Sequence, residues 1–242
     1  MKKGNYTYVW VSFVILVFGI IFIPKIIERV KEGTVVENDR MNIKDNRGDL
    51  AFVEINGSKR RVPDFTFLNQ DSLVITNRDY LGKVYIVEFF FTSCPSICPI
   101  MTKNLVQIQG EFDEFENFGV ASFSIDPAND TPTVLKEYTE KYAITNLDWH
   151  LMTGDRDKIY ELANTGFNIF AAENPNVEGG FEHSGMFALV DKRGFIRSRV
   201  DQFGNPIIYY RGAISAQEGA NEEGETEQIT ILKEDIKKLL NE

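Results

Sequence analysis

Tyr85-Ile86-Val87-Glu88-Phe89-Phe90-Phe91-Thr92-Ser93-Cys94-Pro95-Ser96-Ile97-Cys98-Pro99-Ile100-Met101 is the stretch that decides how this chain folds. Tyr85–Phe91 is apolar apart from Glu88 and rich in aromatic and β-branched residues. An unbroken apolar run of this kind marks a central strand covered on both faces. The residues that follow hold the chain's two cysteines, each with a proline directly after it. Proline suits the first position of a helix, and the residue before a proline is pushed out of the α region. A helix is therefore predicted from about Pro99 to Phe115, with Cys98 at or just before its start.

The pattern continues outward from that strand, turn and helix. Val120–Ile125 reads as the next strand. Thr131 is an N-cap and Pro132 the first residue of a helix running to about Tyr142. Trp149–Met152 is a short strand and Asp155–Asn164 another helix. Met186–Val190, a turn at Asp191–Gly194, and Phe195–Val200 form a strand, turn and strand. The order β-α-β-α-β-α-β-β predicts an α/β domain with a mostly parallel central sheet whose last strands form an antiparallel hairpin. Ser215–Gln228 is rich in Gly, Glu and Asn and is expected to be a mobile acidic loop. Ile229, Leu232, Ile236, Leu239 and Leu240 then recur at amphipathic helix spacing and close the domain. The sequence contains no internal repeats.

Toward the N-terminus the character changes. No charge lies between Lys3 and Lys25. As a helix, Gly4 to Pro24 would span roughly 31 Å, the thickness of a bilayer's hydrocarbon core. Tyr6, Tyr8 and Trp10 sit near one end, as interfacial aromatics do. A cleaved signal peptide needs small residues at an Ala-x-Ala-like site, and Ile20–Pro24 offers none. Residues 1–24 are therefore expected to be an uncleaved transmembrane anchor. Residues 25–61 read as a juxtamembrane stalk with a first hairpin around Leu50–Ile55, and 62–242 as the globular domain. Lys2 and Lys3 precede the span while Lys25, Arg29 and Lys31 follow it, so basic residues alone do not orient it. A large folded domain behind an N-terminal helix, and a cysteine pair suited to an oxidising compartment, favour an extracytoplasmic domain.

Composition limits the function classes. Of 242 residues, 43% are hydrophobic and 12% aromatic, which supports a packed core rather than disorder. The net charge of -10 argues against a nucleic-acid partner, which selects basic faces.

Cys94 and Cys98 carry the chemistry. A helix N-terminus supplies partial positive charge and free N–H groups, and both favour thiolate, the reactive and metal-binding form. The pair can be redox-active, bind a soft metal, or do both. A purely structural disulfide gains little from closing so short a loop. The Cys-x-x-x-Cys spacing is one residue longer than the Cys-x-x-Cys of dithiol reductases, which spreads the sulfurs toward a chelating geometry. Two thiolates and one imidazole suit Cu(I), whereas a closed zinc site wants a fourth ligand. His183 precedes Ser184-Gly185 and the Met186–Val190 strand. It reaches the sulfurs if that strand lies beside Tyr85–Phe91. His150, inside a short apolar strand, reads as structural. Asp126 follows a strand that ends at the same sheet edge, where it can orient a ligand from behind. Asp130 reads as turn and helix-start chemistry.

Three separated motifs together resemble one family. Thr92-Ser93-Cys94-Pro95-Ser96-Ile97-Cys98-Pro99 is similar to the Cys-Pro-x-x-Cys-Pro motif of the SCO/SenC copper proteins. Ser124-Ile125-Asp126-Pro127-Ala128-Asn129-Asp130-Thr131-Pro132 resembles their Asp-Pro segment. Glu182-His183-Ser184, followed by a strand and Asp191-Lys192-Arg193-Gly194, resembles their histidine motif. The similarity runs from about Val62 to Val200. It implies a thioredoxin-like domain that binds one copper ion through Cys94, Cys98 and His183. It further implies a metallochaperone with thiol-redox capacity, rather than an enzyme in the turnover sense. The role implied is assembly of the binuclear copper A site of cytochrome c oxidase. The partners would be the copper-accepting oxidase subunit, a thiol reductant protein and, through the N-terminal helix, the cell inner membrane, with the domain on its periplasmic side. Ser96 stands where the family often has an acidic residue, Asn129 where it often has arginine, and Asn205–Gln228 is longer than usual. The rival expectations are a metal-independent thiol-disulfide oxidoreductase or peroxidase-like protein, and a copper- or redox-sensing interaction module.

Overall fold

The structure is a computed structural model and describes residues 7–31, 50–55, 57–200 and 206–242. The chain divides into two compact units, Met1–Asn46 and Arg47–Glu242. In the first, helix α1 runs from Thr7 to Lys31. Its side chains are described for residues 10–24, where Phe18 stacks on Phe22 at 4.1 Å between ring centroids. Among the described residues no helix is both long and apolar enough to cross a membrane. The expected transmembrane helix is therefore not established by the fold, and residues 1–6 and most of the expected stalk, 32–49, lie outside the described residues.

The second unit runs β1 (Ala51–Phe52), β2 (Glu54–Ile55), β3 (Ser58–Lys59), β4 (Thr66–Asn69), β5 (Val74–Thr76), β6 (Val84–Phe90), α2 (Ile97–Glu111) and β7 (Phe118–Ser124). It continues with α3 (Pro132–Tyr142), β8 (Trp149–Thr153), α4 (Arg156–Glu161), a π-helical turn (Leu162–Phe167), β9 (Ala171–Glu173), β10 (Phe181–His183) and β11 (Met186–Val190). Last come β12 (Ile196–Val200), β13 (Pro206–Ile207), β14 (Tyr210–Arg211) and α5 (Ile229–Asn241).

The main sheet has the order β1-β12-β11-β6-β7-β8-β4-β5, with β13 beside β12 and β14 beside β11. Only β6–β7 and β7–β8 pair parallel, and every other ladder in it is antiparallel. The sheet is thus mixed, which corrects the expectation of a mostly parallel one. The two parallel pairs are those joined through α2 and α3, because a parallel connection needs a crossover. After α4 the chain reverses through the β9–β10 hairpin, so β11 returns antiparallel to β6.

Strand β6 is buried along its whole length, as its composition requires. On one face Phe89 stacks on Phe123 of β7 at 5.4 Å, and Phe123 meets Phe65 edge-on at 5.1 Å. On the other, Phe90 packs against Tyr138 of α3 at 5.5 Å. Burying each such ring stabilises the fold by about 1.5–3 kcal/mol. Glu88 shares the Phe90 face by strand alternation, is 1% exposed, and pairs in register with Ser122. Ser122 donates to its Oε1 at 2.6 Å, while Oε2 has no partner among the described residues. Burial pushes this carboxyl up from 4.5 to about 7, against the opposing pull of the serine bond.

Candidate metal centre

Three elements build the site. Strand β6 ends at Phe90, and the Thr92–Ser96 turn carries Cys94 into the first turn of α2. The helix begins at Ile97, two residues earlier than the prolines suggest, so Cys98 is already helical and Pro99 is the third residue. Proline is accepted there because the first-turn N–H groups have no partner inside the helix anyway. Cys98 is 1% exposed and Cys94 is 8% exposed, and both are free thiols. The backbone N–H of Cys98 points at Cys94 Sγ at 3.4 Å.

His183 arrives from the other side. Ala188 of β11 pairs with Val87 and Val190 with Tyr85, so the start of β11 lies at the carboxyl end of β6. His183, just upstream at the end of β10, is thereby delivered to the sulfurs. Its Nε2 lies 3.2 Å from Cys98 Sγ, and the ligand atoms of Cys94, Cys98 and His183 all lie within 4.8 Å of one another. The expected juxtaposition of β11 and β6 is present. The β9–β10 hairpin is a two-stranded sheet separate from the main one. Phe91 seats it, with its ring 5.1 Å from Phe181 and 6.0 Å from His183.

The two sulfurs are electrostatically unequal. Cys94 is held well below the ordinary thiol value, chiefly by a hydrogen bond from Cys98, and further by His183 and the N–H groups of Cys98 and Ser96. Cys98 is pushed well above it by burial and by the charge on Cys94. The two are driven in opposite directions, and the Cys94 proton is the easier of the two to lose. A metal ion bound by both displaces the Cys98 proton.

The donor set fits a soft ion. Metal bonds of about 2.0–2.3 Å place trigonal ligand atoms roughly 3.5–4 Å apart, close to the spread seen here. Among the described residues no further Cys, His, Asp or Glu joins the three. Two sulfurs and one nitrogen without a fourth ligand match Cu(I) better than structural zinc. A cleft of about 250 Å³ opens over Cys94 and His183 between Ile97, Val177, Phe181, Glu178 and Glu182, with Cys98 buried behind them.

Asp126 lies outside this cluster. It is 4% exposed and both its carboxylate oxygens accept from the Asn129 amide, at 3.1 and 2.9 Å. The asparagine thus holds by hydrogen bonds what an arginine there would hold as an ion pair. Asp130 does more than turn chemistry. Fully buried, it accepts from the backbone N–H of Thr92 at 3.1 Å and from the hydroxyls of Thr92 and Ser124. It clamps the base of the cysteine turn to the end of β7. Sequence reasoning missed this role, although the Thr92, Ser124 and Asp130 polar groups bracketing two apolar strands were a signal. His150 is structural: its Nδ1 lies 3.2 Å from Asn69 Nδ2, and its ring meets Tyr80 edge-on.

Comparison with known proteins agrees with this geometry. A SCO1 protein homolog of Bacillus subtilis is 35% identical over 136 residues, covering 55% of this chain and 69% of that one. A putative copper-binding protein of Stutzerimonas stutzeri is 26% identical over 155 residues, covering 63% and 74%. The solved structure of BsSco, described as having a disulfide switch and as a member of the Sco family of cytochrome c oxidase assembly proteins, superposes with a TM-score of 0.59. It is 27% identical, with 75% of this chain and 94% of that chain covered. The domain is accordingly a thioredoxin-like SCO fold with a mixed sheet. The SCO1/SenC description itself matches residues 53–214, a span that contains both cysteines, the histidine and the strands that bring them together, and the chain belongs to the SCO1/SenC family.

Proposed function

We propose that this protein is a membrane-anchored copper chaperone with a redox-active dithiol, and that it assists assembly of the binuclear copper A site of cytochrome c oxidase. The observation that carries the reading is the convergence of Cys94, Cys98 and His183 within 4.8 Å, beside a cleft that Cys94 and His183 line. The likeness to the putative copper-binding protein of Stutzerimonas stutzeri supports the copper, and the likeness to BsSco supports the oxidase. Cu(I) is the cargo. Cys94 and Cys98 bind it as thiolates and His183 as neutral imidazole. An acceptor subunit docks over the cleft and its own ligands replace these stepwise. Oxidation of the pair to a disulfide removes two of the three ligands, so a thiol reductant protein restores binding. The uncharged stretch Gly4–Pro24 is proposed as the tether, holding the domain on the periplasmic side of the inner membrane.

Titration of the full chain in detergent with Cu(I), reduced and oxidised, with His183→Ala alongside, tests the site. Tight binding by the reduced protein alone, weakened by His183→Ala, is expected. Equal affinity in all three samples would sink it. The thiolate character of Cys94 favours one second reading, a metal-independent thiol-disulfide oxidoreductase. That reading expects dithiol turnover that needs both cysteines and is indifferent to His183→Ala.

A further inference from the structure

Part of the Asn205–Gln228 segment, which is longer than the family's usual one, reaches the site. Arg211 and Tyr210 of β14 pair with Met186 and Phe187 at the start of β11. The ladder is prolonged by Gly212, whose N–H donates to the Gly185 carbonyl at 2.8 Å. Gly185 is two residues from His183 and has a φ of +64°. A Cβ on Gly212 would come within 2.6–2.8 Å of the Phe187 ring, so only glycine permits this approach. The segment is fixed in turn by Asn104, 1% exposed on α2 and six residues beyond Cys98. Its Nδ2 donates to the carbonyls of Gly212 at 2.9 Å and Ile214 at 3.3 Å. Its Oδ1 has no partner among the described residues, so this buried amide acts as donor only.

These contacts close a circuit. One helix carries both Cys98 and Asn104, Asn104 holds Gly212, Gly212 holds Gly185, and Gly185 leads back to His183 at 3.2 Å from Cys98. We infer that Tyr210–Ile214 is a strap that positions His183 over Cys98, with Asn104 as its anchor and as a positioning residue for the metal centre. The inference rests on the copper reading for its consequence, while the strap itself is a statement about where His183 is held.

The test uses the full chain in detergent with Asn104→Leu, and Asn104→Ser as a milder loss of the same two bonds should the first not fold. The first readout is the imidazole nitrogen resonances of His183 in reduced, copper-free protein. One sharp set is expected for the native chain, and broadened or doubled sets for the Asn104 variant. The second readout is Cu(I) affinity against a chromophoric chelator. Loss of a ligand-orienting contact is expected to weaken binding about tenfold or more. That loss is expected to vanish when the substitution is made in a His183→Ala background. Unchanged His183 resonances, or an equal affinity loss with and without His183, overturn the strap. Moved resonances, together with an affinity that His183→Ala leaves unaltered, uphold the strap and remove histidine from the copper reading.

Discussion

The metal centre joins two regions of opposite construction. The sulfur side belongs to the middle of the fold: β6 is buried throughout, α2 follows it directly, and Asp130 ties Thr92 to β7. The histidine side is a separate two-stranded hairpin, held by the Phe91 seat, by the two hydrogen bonds Asn164 exchanges with Ala171, by the Arg156–Glu173 ion pair and by the backbone ladder through Gly185. The contrast teaches that one site can draw on two kinds of stability. Damage to the first region should appear as unfolding, and damage to the second as a misplaced ligand in a folded protein.

The largest effect is expected from Phe123→Ala, in the ring cluster beneath β6. It should destabilise the domain by about 3–5 kcal/mol in urea unfolding, with the cavity term included. A loss below 1 kcal/mol would show that the sulfur side does not depend on the core. Next is Glu88→Gln. A raised carboxyl binds its proton more tightly in the folded than in the unfolded chain, so stability falls as pH rises from about 4.5 through about 7 and stays reduced above. The fall is on the order of 3 kcal/mol, and the glutamine variant should show a flat profile over that window. An unaltered slope would place the pH dependence elsewhere. Third, Asp130→Ala removes the one acceptor serving Thr92 and Ser124 and should cost about 1.5–3 kcal/mol, with faster alkylation of Cys94. The smallest stability change is expected for Phe181→Ala, about 1 kcal/mol for a partly exposed aromatic pair. Its Cu(I) affinity should nonetheless fall. If it instead unfolds the domain like Phe123→Ala, the distinction between the regions collapses.

The same division governs how much was legible in the sequence. The β6–α2–β7–α3–β8 run announces itself through period, caps and prolines, and its parallel pairing follows from the crossovers. The flanking strands are two to five residues long and pair across the chain without a helix to mark direction, so the mixed sheet was not visible. The cysteines declared themselves by type and spacing. His183 was named from its motif, but its proximity depends on the β11–β6 pairing, which no local pattern encodes. Asp130 and Asn104 were hidden for a related reason: their partners lie 38 and 108 residues away. A polar side chain inside an apolar helix stripe, as at Asn104 between Met101 and Leu105, is a faint trace of such a partner.

The clamp made by Asp130 has a consequence in entropy. Fixing the backbone of one residue costs roughly 1–2 kcal/mol, and it is incurred whenever that residue first becomes ordered. Because Thr92 is bonded through both its N–H and its hydroxyl, the approach to Cys94 is ordered when the domain folds. An arriving ion then finds the sulfurs already gathered, and little freedom remains there to be lost.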